Sequence, residues 1–566
     1  MESAPVDIFS AIFLYVNDSD DIVRMFLTGS RMMQFKITHY VRSVSGIYQQ
    51  MFTNFLNLRE LDLSLDGNIA IQTYPANLTK LIIVGNNTIN DSHLLNIPKQ
   101  LTHLNISRCI NIRNFCDASS LEHLDVSHCC ELKTLLWIDN LQYLDASYCT
   151  NLSSLTIPKN LAYLNINASG VKKSNLIFLP TSLQTFLAHT LTFTKDQIAK
   201  FPDSLETVDV SVEKSELFPK AFILPNNITS LVISGCHVDG LMIIPSSVVK
   251  LVLKCNSDLP QLPSSITDLS INMHTTASLS FAQKLSENIN SLAHLKRFYL
   301  RHSGAYFRNT ERHLKVVFNL PETLVELEFY MPHRDISYKI PKSTTSLMTD
   351  SNIDGSFSTR SSPETYPNLK YAHFICVEID PNFVNTMPNL ESLIIERSLC
   401  ARIKTSDLPR SLTHLRDDRS NVEHTYQDFP QNLRFLRIEC NAETEPDFKK
   451  LPKSLRELSI HFTHRNPKYA LNLGHLDLET LHIYGYQPPI SSLPPNLKHL
   501  LCPTEPEIWP KQLVTYTGPI ETAYNGSIKM RTITRPLPKT LKKIVTERLH
   551  TGKTKSKYLP HLIVKH

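Results

Sequence analysis

Eleven cysteines and 23 histidines carry most of the latent chemistry in this 566-residue chain. Their spacing supplies none of the usual reactive sets. A zinc-protease helix needs H-E-x-x-H, and a zinc ribbon or redox pair needs C-x-x-C; neither string occurs. Cys129 and Cys130 are adjacent and belong to a recurring position, not to a ligand pair. Histidines fall mostly where exposed strand residues are expected, at His103, His123, His414, His482 and His499. Glycine is scarce, 14 residues in all, and no G-x-x-x-x-G-K or G-x-G-x-x-G string is present to cradle a phosphate. No catalytic residue, metal or cofactor is expected, and the chain reads as a binding protein, not an enzyme.

The elements that position these residues are repeated. IPKQLTHLNI (97–106) returns as IPKNLAYLNI (157–166), LPETLVELEF (320–329), LPRSLTHLRD (408–417), FPQNLRFLRI (429–438) and LPKSLRELSI (451–460). Where the proline is missing the beat persists: Leu101, Leu121, Leu141 and Leu161 are 20 residues apart each time. The ending L-x-x-L-x-I alternates apolar and polar with period two, so it predicts a short strand with one buried face. Proline lacks an N–H and suits the loop that enters the strand. A further position accepts Asn or Cys, at Asn86, Cys109, Cys129, Cys149 and Cys236. That predicts an internal ladder in which small thiols or amides satisfy neighbouring backbone. One unit cannot bury its own leucines, so neighbouring units must stack.

The units resemble leucine-rich repeats, L-x-x-L-x-L-x-x-N/C. Their proline-led form is similar to the FNIP-repeat subgroup. The resemblance spans about residues 55–548 and departs from the pattern at 273–319, 330–366, 461–477 and 503–535, where irregular loops or disguised repeats are expected. It implies an α/β solenoid, a leucine-rich-repeat arc with a parallel β-sheet on its concave face. That face is the expected platform for a protein target. Its columns are His103, His123, Tyr143 and Tyr163; Asn105, Asp125, Asp145 and Asn165; and Ser107, Ser127, Ser147 and Asn167. Further along, Arg416, Phe435 and Arg437 occupy the corresponding places. Tyr, Phe and Arg are types that carry interface energy, although any one of these positions is equally the place for a solvated polar residue.

Residues 1–48 lack the repeat and read as short helices. Pro5 suits a first turn; Ile8, Ile12 and Val16 recur every fourth residue; Ile22 and Phe26 follow the breaker Asp18-Ser19-Asp20-Asp21. This segment resembles an F-box, through Pro5, Ile8, Ile12, Val16, Asp21, Ile22, Phe26 and Ser30-Arg31. The resemblance implies docking on a Skp-family adaptor of a cullin ubiquitin ligase, through Pro5, Ile8, Ile12, Val16, Ile22 and Phe26. The residues themselves leave a second reading open, a cap over the first repeat.

The net charge of +5 hides an asymmetry. From Lys529 onward 11 Lys/Arg face one acid, Glu547, whereas the rest carries 47 basic and 52 acidic residues. A mildly acidic body argues against nucleic acid as the main partner, and residues 549–566 read as a solvated basic tail following a solenoid over 49–548. The apolar run Ile8–Val16 lacks a basic start and is a poor signal sequence, and there is no run of about 18 apolar residues for a membrane span. With an odd cysteine count, this reading expects reduced thiols in a cytoplasmic or nuclear setting. Two functions remain open on sequence: a ubiquitin-ligase substrate receptor, or a plain scaffold or pathogen or viral effector.

Overall fold

The computed structural model describes residues 57–64, 74–115, 119–136, 139–176, 178–213, 222–235, 242–255, 259–273, 279–302, 315–331, 333, 335–353, 364–375, 381–396, 403–418, 429–440, 448–463, 470–485, 488–503, 506–518 and 537–545, with backbone strands at Ser43–Ser45 and Ile563–Lys565. The chain forms two compact units, residues 1–266 with 271–274, and 267–270 with 275–566.

Each unit is a pile of coils. In the first, a long parallel sheet runs through Ser43–Ser45, Glu60–Asp62, Lys80–Ile82, His103–Asn105, His123–Asp125, Tyr143–Asp145, Tyr163–Asn165, Thr185–Phe193, Thr207–Val212, Ser230–Ser234 and Lys250–Cys255. In the second, the same arrangement runs through Arg297–His302, Glu326–Tyr330, Ser346–Thr349, Tyr371–Ile375, Ser392–Glu396, His414–Asp418, Phe435–Cys440, Glu457–Phe462, Thr480–Gly485, His499–Leu501, Thr515–Thr517, Lys543–Val545 and Ile563–Lys565. Parallel neighbours require a crossover, and the remainder of each coil supplies it. The opposite wall holds short parallel pairings: Asn114–Phe115, Thr134–Leu135 and Ser154–Leu155 in the first unit, and Val316–Phe318, Ile336–Tyr338 and Asn352–Ile353 in the second. These are the coils of a leucine-rich-repeat solenoid.

The periodic prolines now have a mechanism. The carbonyl of Pro98 accepts the N–H of Leu101 (3.0 Å), and Pro180, Pro202, Pro245, Pro321, Pro409 and Pro430 do the same for the residue three positions on. Each closes a turn that drops the next leucine, or Val248 after Pro245, into the core. Leu104, Leu124, Leu144 and Leu164 then point inward from the strand while their neighbours point out. A fully buried leucine contributes about 1.5–3 kcal/mol, and each coil supplies several.

The internal ladder forms as its sequence pattern predicts. Sγ of Cys109, Cys129 and Cys149 donates to the carbonyls of Ile83, Ile106 and Val126 at 3.0–3.1 Å. Asn86 Oδ1 accepts from the N–H of Thr88 and of Ile89. Cys130 departs from its neighbour and is exposed; Cys236 lies outside the described residues. A second ladder was not foreseen. The hydroxyl just before a repeat's first leucine donates to the carbonyl of the preceding coil's leucine, as in Ser182 to Leu161, Ser204 to Leu183, Ser411 to Leu390 and Ser454 to Leu433.

The irregular stretches contain disguised repeats. Within 273–319 the helix Leu279–Asn290 buries Leu279, Phe281, Ala282, Leu285 and Ile289, and the strand Arg297–His302 still pairs in register with Glu326–Tyr330. Strands Ser346–Thr349 and Thr515–Thr517 keep the pairing through two of the others.

Candidate functional site

On the outward side of the first unit, repeats of equal length place like side chains in register. His103, His123, Tyr143 and Tyr163 form one column across four strands. Their rings stack face to face, with centroids 5.5, 3.9 and 4.2 Å apart and interplanar angles of 18°, 3° and 8°. Burial in this stack, with His103 next to it, holds the His123 imidazole below its ordinary pKa. Burial likewise raises the phenols of Tyr143 and Tyr163.

Beside the rings runs the row Asn105, Asp125, Asp145 and Asn165. Asp125 Oδ2 accepts from Asn105 Nδ2 (3.0 Å), and Asp145 Oδ2 accepts from Asn165 Nδ2 (2.9 Å). Their other oxygens accept backbone N–H groups of Ser127 and Ser147, each at 2.9 Å. Two adjacent carboxylates are thus flanked by amide donors. Each Asx turn leads into a left-handed residue that is not glycine: Arg108, His128, Tyr148 and Ala168, with φ between 55° and 61°. His128 and Tyr148 stack there at 4.3 Å, forming a shorter second column. Ser107 and Ser147, expected on the open face, are buried, because the turn tucks them under the carboxamide or carboxylate that binds their backbone.

The ring column ends where the repeat lengthens. Thr185, Thr207 and Ser230 continue it, and Leu187 and Asp209 continue the row. From His103 to Ser211 the outward positions of these strands hold Asp125, Asp145 and Asp209 but no Lys or Arg. Asp209 Oδ2 lies 3.5 Å from His189 Nδ1, and burial raises its carboxyl above the usual range.

The second unit uses its face differently. Arg416 bridges Glu396 (3.1 Å) and Asp418 (2.6 Å), and Arg437 pairs with the other oxygen of Asp418 (2.8 Å). Arg301 pairs with Glu328, and Tyr299 donates to Glu326 at 2.7 Å. Phe435 stacks on His414 at 5.9 Å. Arg416 and Arg437, expected as presented guanidinium groups, are therefore already engaged by carboxylates, Arg416 on its own strand and the one before, Arg437 on the strand before.

Pro5, Ile8, Ile12, Val16, Ile22 and Phe26 lie outside the described residues. Among the described residues no group of three or more His, Cys, Asp or Glu is placed to hold a metal ion, and no helix is long and apolar enough to cross a membrane.

Fold and face together define a leucine-rich-repeat solenoid carrying an acidic, ring-lined sheet. No family model and no curated protein sequence matches the chain. Solved structures resemble it loosely. The plant peptide hormone receptor RGFR1 in complex with RGF2 shares 13% identity over 94% of this chain and 80% of its own, with a TM-score of 0.32. YopM from Yersinia enterocolitica shares 15% over 87% of each chain (TM-score 0.27), and the mouse RP105/MD-1 complex 14% over 80% and 77% (TM-score 0.36). The fold assignment rests on the pairing and register above.

Proposed function

We propose that this chain is a non-catalytic protein-binding scaffold that takes its partner on the outward sheet face around His123, Tyr143, Asp125 and Asp145. The observation that carries this reading is the run of stacked rings beside uncompensated carboxylates. Aromatic groups supply interface area at little entropic cost, and a field of one sign selects and steers a partner.

Through the resemblance of Pro5–Arg31 to an F-box, preceding proline-led, FNIP-like repeats, the finer reading is a substrate receptor. A Skp-family adaptor and cullin would hold the N-terminal segment while the sheet presents the target for ubiquitin transfer, in the cytoplasm or nucleus. Co-purification tests this. The adaptor should be recovered with the full chain and lost with Ile8→Asp plus Ile12→Asp in a chain that still folds; recovery that ignores the substitutions rejects the ligase role.

One observation favours a scaffold or effector without ligase function. Ser43–Ser45 pairs with Glu60–Asp62, so the end of the N-terminal segment adds a strand to the first repeat, as a cap does. Under that reading no adaptor is recovered, yet Tyr143→Ala still removes the partner of the sheet face.

A further inference from the structure

The ring column has two unlike ends. At His103 the neighbour in register is Lys80, which pairs with Glu60 at 3.9 Å. At Tyr163 the neighbours in register are Thr185 and then Thr207 and Ser230, three small hydroxyl side chains in a row. A stack that repeats once per strand thus stops at a ring bordered by threonine. The row alongside continues through Leu187 to Asp209, one strand beyond Thr185, while Asp145 lies one strand before Tyr163. Lys254 is the lysine whose charge reaches Asp209.

The missing fifth member of this stack has a definable chemistry. It must be flat, because rings at about 4 Å spacing accept a planar group, and it must be cationic, because Asp145 and Asp209 lie on either side of the gap and no Lys or Arg stands on the strands from His103 to Ser211, His189 being the basic group with which it shares Asp209. Arginine meets both conditions; its guanidinium is planar, weakly hydrated and stacks on aromatic faces, whereas lysine is a compact, strongly hydrated point charge. A nucleic-acid base is also planar, but its phosphates would meet Asp125, Asp145 and Asp209.

Resting on the protein-binding reading above, we propose that the partner carries an arginine whose guanidinium lies on the free side of Tyr163, over Thr185, between Asp145 and Asp209. The slot reads an arginine-bearing segment, and Tyr163 is its specificity-determining residue.

Fluorescence anisotropy on the full chain at low salt tests this, using labelled tetra-arginine and tetra-lysine peptides and a dT12 oligonucleotide as probes. Tetra-arginine should bind about fivefold tighter than tetra-lysine. Tyr163→Leu should erase that preference while leaving tetra-lysine binding in place, Tyr163→Phe should keep it, and Asp209→Asn should weaken both peptides. Equal affinity for the two peptides, a preference that survives Tyr163→Leu, or binding of dT12 that is lost with Tyr163→Leu overturns the proposal. Failure here is separable from failure of the binding reading. A protein partner lost with Tyr143→Ala but retained with Tyr163→Leu sinks the arginine slot alone.

Discussion

The two sheet faces share a backbone and differ in what stands next to what. In the first unit like stands beside like: ring on ring from His103 to Tyr163, and carboxylate beside carboxylate at Asp125 and Asp145, each quieted by one asparagine. In the second unit Arg416 also faces Arg437, and Glu396 faces Asp418, but acid and base alternate along the strands, so each guanidinium reaches a carboxylate along its strand or diagonally across. The constant spacing from His103 to Tyr163 produces the first outcome, since register sets ring beside ring and Asn or Asp beside Asp. Acid meets base where both kinds are present: Glu60 against Lys80 at the start of the first unit, and Asp418 two residues along the strand from Arg416 in the second. The coils from His103 to Tyr163, whose strands carry no Lys or Arg, therefore keep charge and aromatic surface unpaired with a base, whereas those around Arg416 neutralise themselves.

The strongest way to break that contrast is to look beneath the face. Leu124→Ala and Leu436→Ala remove equally buried leucines, one from each unit, and each should cost about 2–5 kcal/mol in denaturant unfolding. A large inequality would mean that the units differ in their cores and not only on their surfaces. Next is Asp145→Ala, which strips acceptors from Ser147 N–H and Asn165 Nδ2. The expected loss is about 1–3 kcal/mol by the same measurement, since Ser147 is buried.

Arg416→Ala should cost less, about 1 kcal/mol, because its pairs are partly solvated, and the cost should shrink in 1 M salt. Salt should leave the cost of Tyr143→Ala unchanged, and a salt-sensitive ring column would contradict the contrast. The smallest effect is that of protons. The folded chain holds His123 below 6.5, so the unfolded state binds the proton first as the pH falls. Its contribution to stability is flat above pH 6.5 and is lost progressively below it. Thermal melts from pH 7.5 to 5 should show a shallower decline for His123→Gln; an identical slope would show that the stack does not resist protonation.

Much of this fold was legible from spacing alone. Leu101, Leu121, Leu141 and Leu161 fix the register of four strands, and that register aligns the ring column and the Asn/Asp row. The thiol ladder was legible for the same reason. Pairings across coils of unequal length were not. Arg416 meets Glu396 because Ile394 lies opposite Arg416, a register that no constant period sets. The hydroxyl ladder was missed because a serine before a leucine looks like any solvated residue until its acceptor on the next coil is known. The strand Arg297–His302 was hidden because its coil enters through a helix and lacks the leading proline.

The sulfur spine turns this solenoid into its own stopwatch. Burial raises the thiol of Cys109 to about 11 and that of Cys149 to about 12, and Cys129 is raised further, so an alkylating reagent finds no thiolate there until a coil parts from its neighbours. Cys130, one residue along, is exposed, so the reagent reaches it without any parting of the coils, and its labelling marks time zero. The lag between the two, read by mass spectrometry on the intact chain, times how often adjacent turns of the coil breathe apart.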